Sequence, residues 1–160
     1  MKRVIFVGQA MPRHKEELND WPSLNAWLFS IGISYEEIVA NFFYTALVDY
    51  FPGAKGGSHL VPTEDEIIKE RPRLQKAILD FNPDIVVPIG RLSIAYCFNE
   101  KIKPLTHYIG KSFVANPYGL LKKELIIIPL PHPSGASTWY HKQEHKALLQ
   151  KALETLKKNI

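Results

Sequence analysis

The sequence predicts an α/β protein, a three-layer α/β/α sandwich around a mostly parallel central sheet of four strands. Three observations predict it. Short continuous apolar runs, Val4-Ile5-Phe6-Val7 and Ile85-Val86-Val87-Pro88-Ile89, each end at a glycine, the pattern of strands buried on both faces. Segments of helical character separate these runs. The chemically distinctive stretches fall just after the strands: residues 8–12, Gly90-Arg91 and residues 132–137. In open parallel sheets that is where ligands bind.

The first strand covers Val4-Ile5-Phe6-Val7 and stops at Gly8. Residues 9–22 are polar and read as a loop. Ser23 can cap a short helix through Phe29, with Gly32 closing it. Ser34 and Glu37 have capping-box spacing and open another helical turn. Residues 42–51 are rich in aromatic and β-branched types and predict the second strand. Pro52-Gly53 and Gly56-Gly57 mark a long loop. Thr63, followed by Asp65 and Glu66, starts a helix to about Phe81 in which Pro72 is a kink or a break. Residues 84–90 form the third strand and residues 91–98 a short helix. Residues 124–130 form the fourth strand, followed by the loop Pro131-His132-Pro133-Ser134-Gly135. The last helix covers residues 140–158, with Leu148, Leu149, Ala152, Leu153 and Leu156 at helical spacing and a solvated Lys/Glu face.

Composition narrows the class. The 160 residues fit one domain, 1–160, and 46% hydrophobic with 22% charged residues is the balance of a globular protein. The longest apolar run is strand-sized, far short of the roughly 20 residues that span a bilayer, so no membrane partner is expected. Met1-Lys2-Arg3 leads straight into the first strand without a small-residue cleavage site, which predicts no signal peptide and a cytoplasmic protein. The single cysteine, Cys97, excludes an intramolecular disulfide and any all-cysteine metal cluster. It lies in an apolar helical stretch and reads as a buried small hydrophobe. The net charge of +4 permits a polyanionic partner without demanding one.

Four segments, in order, resemble the uracil-DNA glycosylase superfamily. Val7-Gly8-Gln9-Ala10-Met11-Pro12 is similar to that family's first motif, a strand delivering a Gly-polar-x-Pro turn. Leu130-Pro131-His132-Pro133-Ser134-Gly135-Ala136-Ser137 resembles its second, a His-Pro-Ser loop after the last strand. Tyr44-Thr45-Ala46-Leu47-Val48 stands where the family has the strand carrying its base-reading asparagine. The helix at residues 63–81 and the strand Pro83-Asp84-Ile85-Val86-Val87-Pro88-Ile89-Gly90 look like the corresponding elements of the thermostable iron–sulfur subgroup. Each motif is weak alone; four in order across nearly the whole chain carry more.

The resemblance implies a DNA glycosylase, which flips a damaged base out of DNA into a pocket and hydrolyses its N-glycosidic bond. It implies His132 as the donor that stabilises the departing base, and Gln9 as the group that orients water. Gln9, Ala10, Met11, Trp21 and Ala46 are the expected base-binding residues. Arg13, Arg91, Ser134, Gly135, Ser137 and Trp139 are the expected DNA contacts. Trp21 either stacks on the base or packs over the first helix. Trp139 and Tyr140 either wedge into the space the base vacates or serve in packing. No cofactor is implied, since the iron–sulfur cysteines are absent, and the expected partner of a monomer is DNA.

The departures are as informative. Ala10 stands where the family's uracil enzymes have a water-activating aspartate, and Gln9 where the iron–sulfur subgroup has glutamate. Ala46 replaces the base-reading asparagine, which removes side-chain discrimination of uracil. Asn25, Glu16, Glu17, Asp20 and Asp49 are the polar groups that could substitute. Two readings follow: a glycosylase with altered base preference, for a deaminated or modified base, or a catalytically degenerate member that binds nucleic acid or a nucleobase without turnover. A third, an unrelated nucleotide-handling enzyme, lacks both phosphate-cradling glycine patterns.

Overall fold

A computed structural model describes residues 1–11, 19–55, 58–134 and 138–160. The main sheet has five strands: β1 (Val4–Ala10), β2 (Phe42–Val48), β5 (Ile85–Pro88), β6 (Phe113–Ala115) and β7 (Leu125–Ile127). Its order is β2-β1-β5-β7-β6, parallel except for β6, which runs antiparallel to β7. The predicted α/β architecture is therefore present with one strand more than the sequence suggested. β6 escapes a periodicity reading because its three residues are only partly buried or exposed, with Val114 67% exposed. A two-stranded hairpin, β3 (Ala54–Lys55) and β4 (Ser58–His59), lies within the predicted long loop.

Alternation along β1 divides the core into two layers. Val4 and Phe6 face Leu24, Leu28, Ile38, Leu153 and Leu156, which belong to α1 (Pro22–Ser30), α2 (Tyr35–Asn41) and α5 (Gln143–Asn159). Ile5 and Val7 face Ile67, Leu74, Ile78 and Cys97, from α3 (Glu64–Phe81) and α4 (Gly90–Phe98). Burying one of these aliphatic side chains is worth roughly 1.5–3 kcal/mol. Both faces of the central strands are thus committed to packing, and chemistry is confined to the strand ends.

Two helix starts follow the capping-box rule, and α1, α4 and α5 begin without a side-chain cap. Both capping boxes form: Glu37 N–H donates to Ser34 Oγ at 3.1 Å, and Glu66 N–H to Thr63 Oγ1 at 3.2 Å. α1 begins one residue before the predicted cap: Pro22 takes the first turn after Trp21, and Ser23 makes no cap. Pro72 does not break α3, which runs through it from Glu64 to Phe81. The carbonyl four residues back belongs to exposed Ile68, where water can replace the missing N–H. A 3₁₀ turn at Trp139–His141 delays α5 to Gln143, because Lys142 is extended.

The outer edge of β2 is closed by side chains. Asn19, fully buried with φ of 58°, donates from Nδ2 to the Phe42 carbonyl at 2.8 Å and accepts the Tyr44 N–H at 3.0 Å. Arg73 donates to Thr45 Oγ1 at 2.9 Å and to the Ala46 carbonyl at 2.5 Å. These bonds do for the edge what a neighbouring strand would do.

Candidate active site

The carboxyl ends of β1, β5 and β7 meet at one cleft of about 1160 Å³. Gln9 comes from the end of β1, which continues through Gly8 to Ala10 rather than stopping at the glycine. Gly90 and Arg91 come from the first turn of α4, and His132 and Ser134 from the loop after the last strand. The parallel bridge between Ile89 and Leu130 brings the last two segments together, and Gly90 N–H donates to the Leu130 carbonyl at 2.9 Å. Gly90 has φ of +84°, a conformation that strains any residue with a Cβ.

His132 is half-buried, and its ring is fixed from one side. The Ser134 backbone N–H donates to His132 Nδ1 at 3.1 Å. Nδ1 is therefore an acceptor, and the neutral imidazole carries its proton on Nε2. Burial also lowers the pKa of His132 from its ordinary value, which favours that neutral form. The Ser134 peptide is held in turn by the Tyr140 hydroxyl, which donates to the Ser134 carbonyl at 2.8 Å. Tyr140 also packs edge-on against Trp27 with ring centroids 6.0 Å apart, so it supports the loop by packing.

Trp21 packs against His132 and Tyr44 and is not among the described residues lining the cleft. Its ring is 5.6 Å from that of His132 and 6.4 Å, edge-on, from that of Tyr44. A Cβ placed on Gly8 would come within 3.2 Å of the Trp21 ring, so glycine is what lets the indole settle over the end of β1. The Asn19 network holds the segment in place: Asn25 Nδ2 donates to the Asn19 carbonyl at 3.2 Å, and the Tyr44 hydroxyl donates to Asn25 Oδ1 at 2.6 Å. Asn25 is thereby consumed in structure and supplies no polar group to the cleft.

The structure brings together Gln9, Arg91, His132, Ser134 and Trp139 on one wall-lining set. It does not bring Ala10, Met11 or Ala46 there. Ala46 is buried beside Gly8 in the β1–β2 register and presents only a methyl group, and Ala10 and Met11 are half-buried at the end of β1. Asp49 is exposed beyond β2, its N–H bonded to Glu70. Arg13, Glu16, Glu17, Gly135 and Ser137 lie outside the described residues.

Sequence reasoning missed Lys103, Thr106, Lys142 and His145, which also line the cleft. No acidic residue is among the described lining residues. Among the described lining residues a leaving anion would therefore meet only neutral and cationic groups. Among the described residues no group of three or more His, Cys, Asp or Glu could hold a metal ion, and no helix is long and apolar enough to cross a membrane.

Fold and site together define an α/β protein in which a His-Pro-Ser loop presents a neutral imidazole to a cationic cleft at the sheet's carboxyl edge. The Uracil DNA glycosylase superfamily model matches residues 1–157, and the chain belongs to that superfamily. The chain is 31% identical over 140 residues to a type-4 uracil-DNA glycosylase of Sulfurisphaera tokodaii, covering 83% of this chain and 60% of the relative. It is 29% identical over 144 residues to one of Saccharolobus solfataricus, covering 83% and 61%. The chain thus spans about three fifths of the length of these curated relatives.

Proposed function

We propose that this protein is a DNA glycosylase that removes a deaminated or modified base flipped out of DNA. The observation that carries the reading is the Ser134 N–H···Nδ1 bond, which leaves His132 Nε2–H as a donor in a cleft shared with Gln9. As the N-glycosidic bond breaks, its electron pair goes to the base and positive charge develops on the sugar. Nε2–H donates to the base where the negative charge forms; a preorganised donor of this kind is worth roughly 10²–10³ in rate. Water then adds to the sugar. Gln9 can hold that water through its amide oxygen but cannot take its proton, which passes to the departing base or to solvent. The relatives' names point to uracil, whereas Ala46 has no group to read a base edge, so acceptance of bases beyond uracil is part of the proposal.

One observation favours a second reading, binding without turnover: Ala10 and Ala46 leave methyl groups at two expected functional positions, and no carboxylate is among the described lining residues. A base-excision panel separates the two. Single- and double-stranded oligonucleotides carrying uracil, hypoxanthine, xanthine or a thymine mismatch are incubated with protein and cleaved with alkali. Strand breaks at the modified base support the glycosylase. Intact strands throughout, with folded protein that still binds DNA, support the second reading.

A further inference from the structure

Gln9 reaches the cleft from a strand end that is held unevenly. On the β2 side the β1 register continues past it, through Gly8↔Ala46 to Ala10↔Val48. On the β5 side the register stops at Val7, opposite Pro88, and proline has no N–H to extend a ladder. Ile89 N–H closes that side by donating to the Val7 carbonyl at 2.9 Å. Gln9 shares the parity of Ile5 and Val7, so it faces the layer of α3 and α4.

A second donor reaches the same carbonyl. Ser93, in α4 and fully buried, donates from Oγ to the Val7 carbonyl at 2.6 Å. Both lone pairs of that carbonyl are then used. Ser93 Oγ also lies 2.7 Å from the Tyr118 hydroxyl. A hydroxyl has one proton, and that of Ser93 goes to a carbonyl that can only accept, so Tyr118 donates the other bond. The chain runs one way, from Tyr118 O–H to Ser93 O–H to Val7 C=O, and each bond polarises and strengthens the next. Burial keeps the Tyr118 phenol protonated and therefore a donor.

Apolar packing requires neither hydroxyl. Tyr118 is 2% exposed among Val7, Leu74, Cys97 and Ile127, where a polar group costs stability unless it is bonded. Its φ of +57° is an outlier for a bulky residue, and such conformations persist where the surroundings over-determine them. Ser93 follows Gly90, Arg91 and Leu92 in the opening turns of α4, and those three line the cleft. The Ser93 bond therefore ties the helix start that forms one wall to the strand that delivers Gln9.

We infer that Ser93, backed by Tyr118, is a positioning residue that fixes Gln9 against the α4 wall of the cleft. Ser93 acts through the Val7 carbonyl, two residues before Gln9. The catalytic consequence rests on the glycosylase reading, in which Gln9 holds the attacking water; the anchoring itself does not.

Two measurements on the full chain test this. The first needs no substrate: backbone ¹⁵N order parameters of wild type, Ser93→Ala and Tyr118→Phe. Gln9 should fall from about 0.85 toward about 0.6 in Ser93→Ala, while Ile5 and Phe6 keep their wild-type values. Tyr118→Phe, which retains the ring and the Ser93–Val7 bond, should show a smaller fall at the same residue and carries this arm if Ser93→Ala does not fold. An unchanged Gln9, or a loss spread evenly along β1, would overturn the anchor. The second is single-turnover base release in a cycle with Gln9→Ala. Ser93→Ala should slow wild type about tenfold, since misplacement of about 1 Å can cost up to 10²-fold. In the Gln9→Ala background the same change should cost less than about twofold, because residues acting as one unit are not additive. Equal losses in both backgrounds would assign Ser93 to general stability and overturn the positioning role. Wild type that releases no base sinks the glycosylase reading, and the order parameters then decide the anchor alone.

Discussion

Tyr140→Phe removes one hydroxyl that touches the site only through another residue. The hydroxyl donates to the Ser134 carbonyl at 2.8 Å, and the Ser134 N–H donates to His132 Nδ1 at 3.1 Å. The phenyl ring would keep its edge contact with Trp27, so packing is nearly conserved. One such hydrogen bond contributes about 0.5–1.5 kcal/mol net, so stability should fall by about 1 kcal/mol and the protein should remain folded. The effect on chemistry is expected to be larger relative to its cause. A misplacement of about 1 Å can cost up to 10²-fold in rate; a loosened rather than displaced loop predicts a loss of about tenfold, or about 1.4 kcal/mol of barrier. The assay is single-turnover base release across pH, with KM measured in parallel. KM should stay within about twofold, because the Tyr140 hydroxyl does not itself line the cleft. The acidic limb of the pH profile should move to higher pH, since a weakened N–H···Nδ1 bond makes the ring easier to protonate. Ser134→Ala retains the backbone N–H and should leave that limb in place. A Tyr140→Phe enzyme with wild-type rate, or with a slower rate and an unmoved limb, would refute the positioning chain.

The remaining predictions concern protonation and packing. Burial lowers the His132 pKa below its ordinary value of 6.5, so the neutral form should dominate above that pH. The folded state binds its proton less readily than the unfolded state; its stability contribution is therefore present above pH 6.5 and lost as pH falls through the lowered value. Urea melts from pH 5 to 8 and the pH–rate profile check this, and a rate already declining at pH 7 would contradict it. Asn19→Ala should destabilise by about 3 kcal/mol, because it orphans the Phe42 carbonyl and Tyr44 N–H and forces alanine into a left-handed backbone; Asn19→Gly should recover part of the loss. Gly8→Ala should cost roughly 1–3 kcal/mol by crowding the Trp21 ring, read as a lower urea midpoint and an altered tryptophan fluorescence. Cys97, buried and with its thiol pushed up to about 12, should resist iodoacetamide in the folded protein and react on unfolding.

Much of the fold was legible because it is written in local patterns. The runs at β1 and β5 are apolar on both faces, and the capping boxes of α2 and α3 need only residues three apart. β6 was not legible: it is three residues long, and pairing with β7 rather than its own sequence makes it a strand. Of the site, Gln9 and His132 could be named because their segments resemble two of the family's motifs, and their meeting depends on the β1–β5 pairing together with the Ile89–Leu130 bridge. Lys103 and Lys142 approach from a loop and a turn with no periodicity, so only tertiary structure places them at the cleft. Tyr140 and Asn25 show the opposite lesson. Their residue types suggested contact with substrate, and hydrogen bonds to Ser134 and within the Asn19 network assign them to support instead.

The central claim is that His132 Nε2–H carries the departure of the base. Its most direct test is the single-turnover rate of His132→Ala against wild type, on whichever base the excision panel identifies and at saturating protein. The account predicts a fall of roughly 10²–10³-fold, with affinity for the undamaged strand retained. A rate within about threefold of wild type, a difference of less than 1 kcal/mol in the barrier, would contradict it and place the chemistry elsewhere in the cleft.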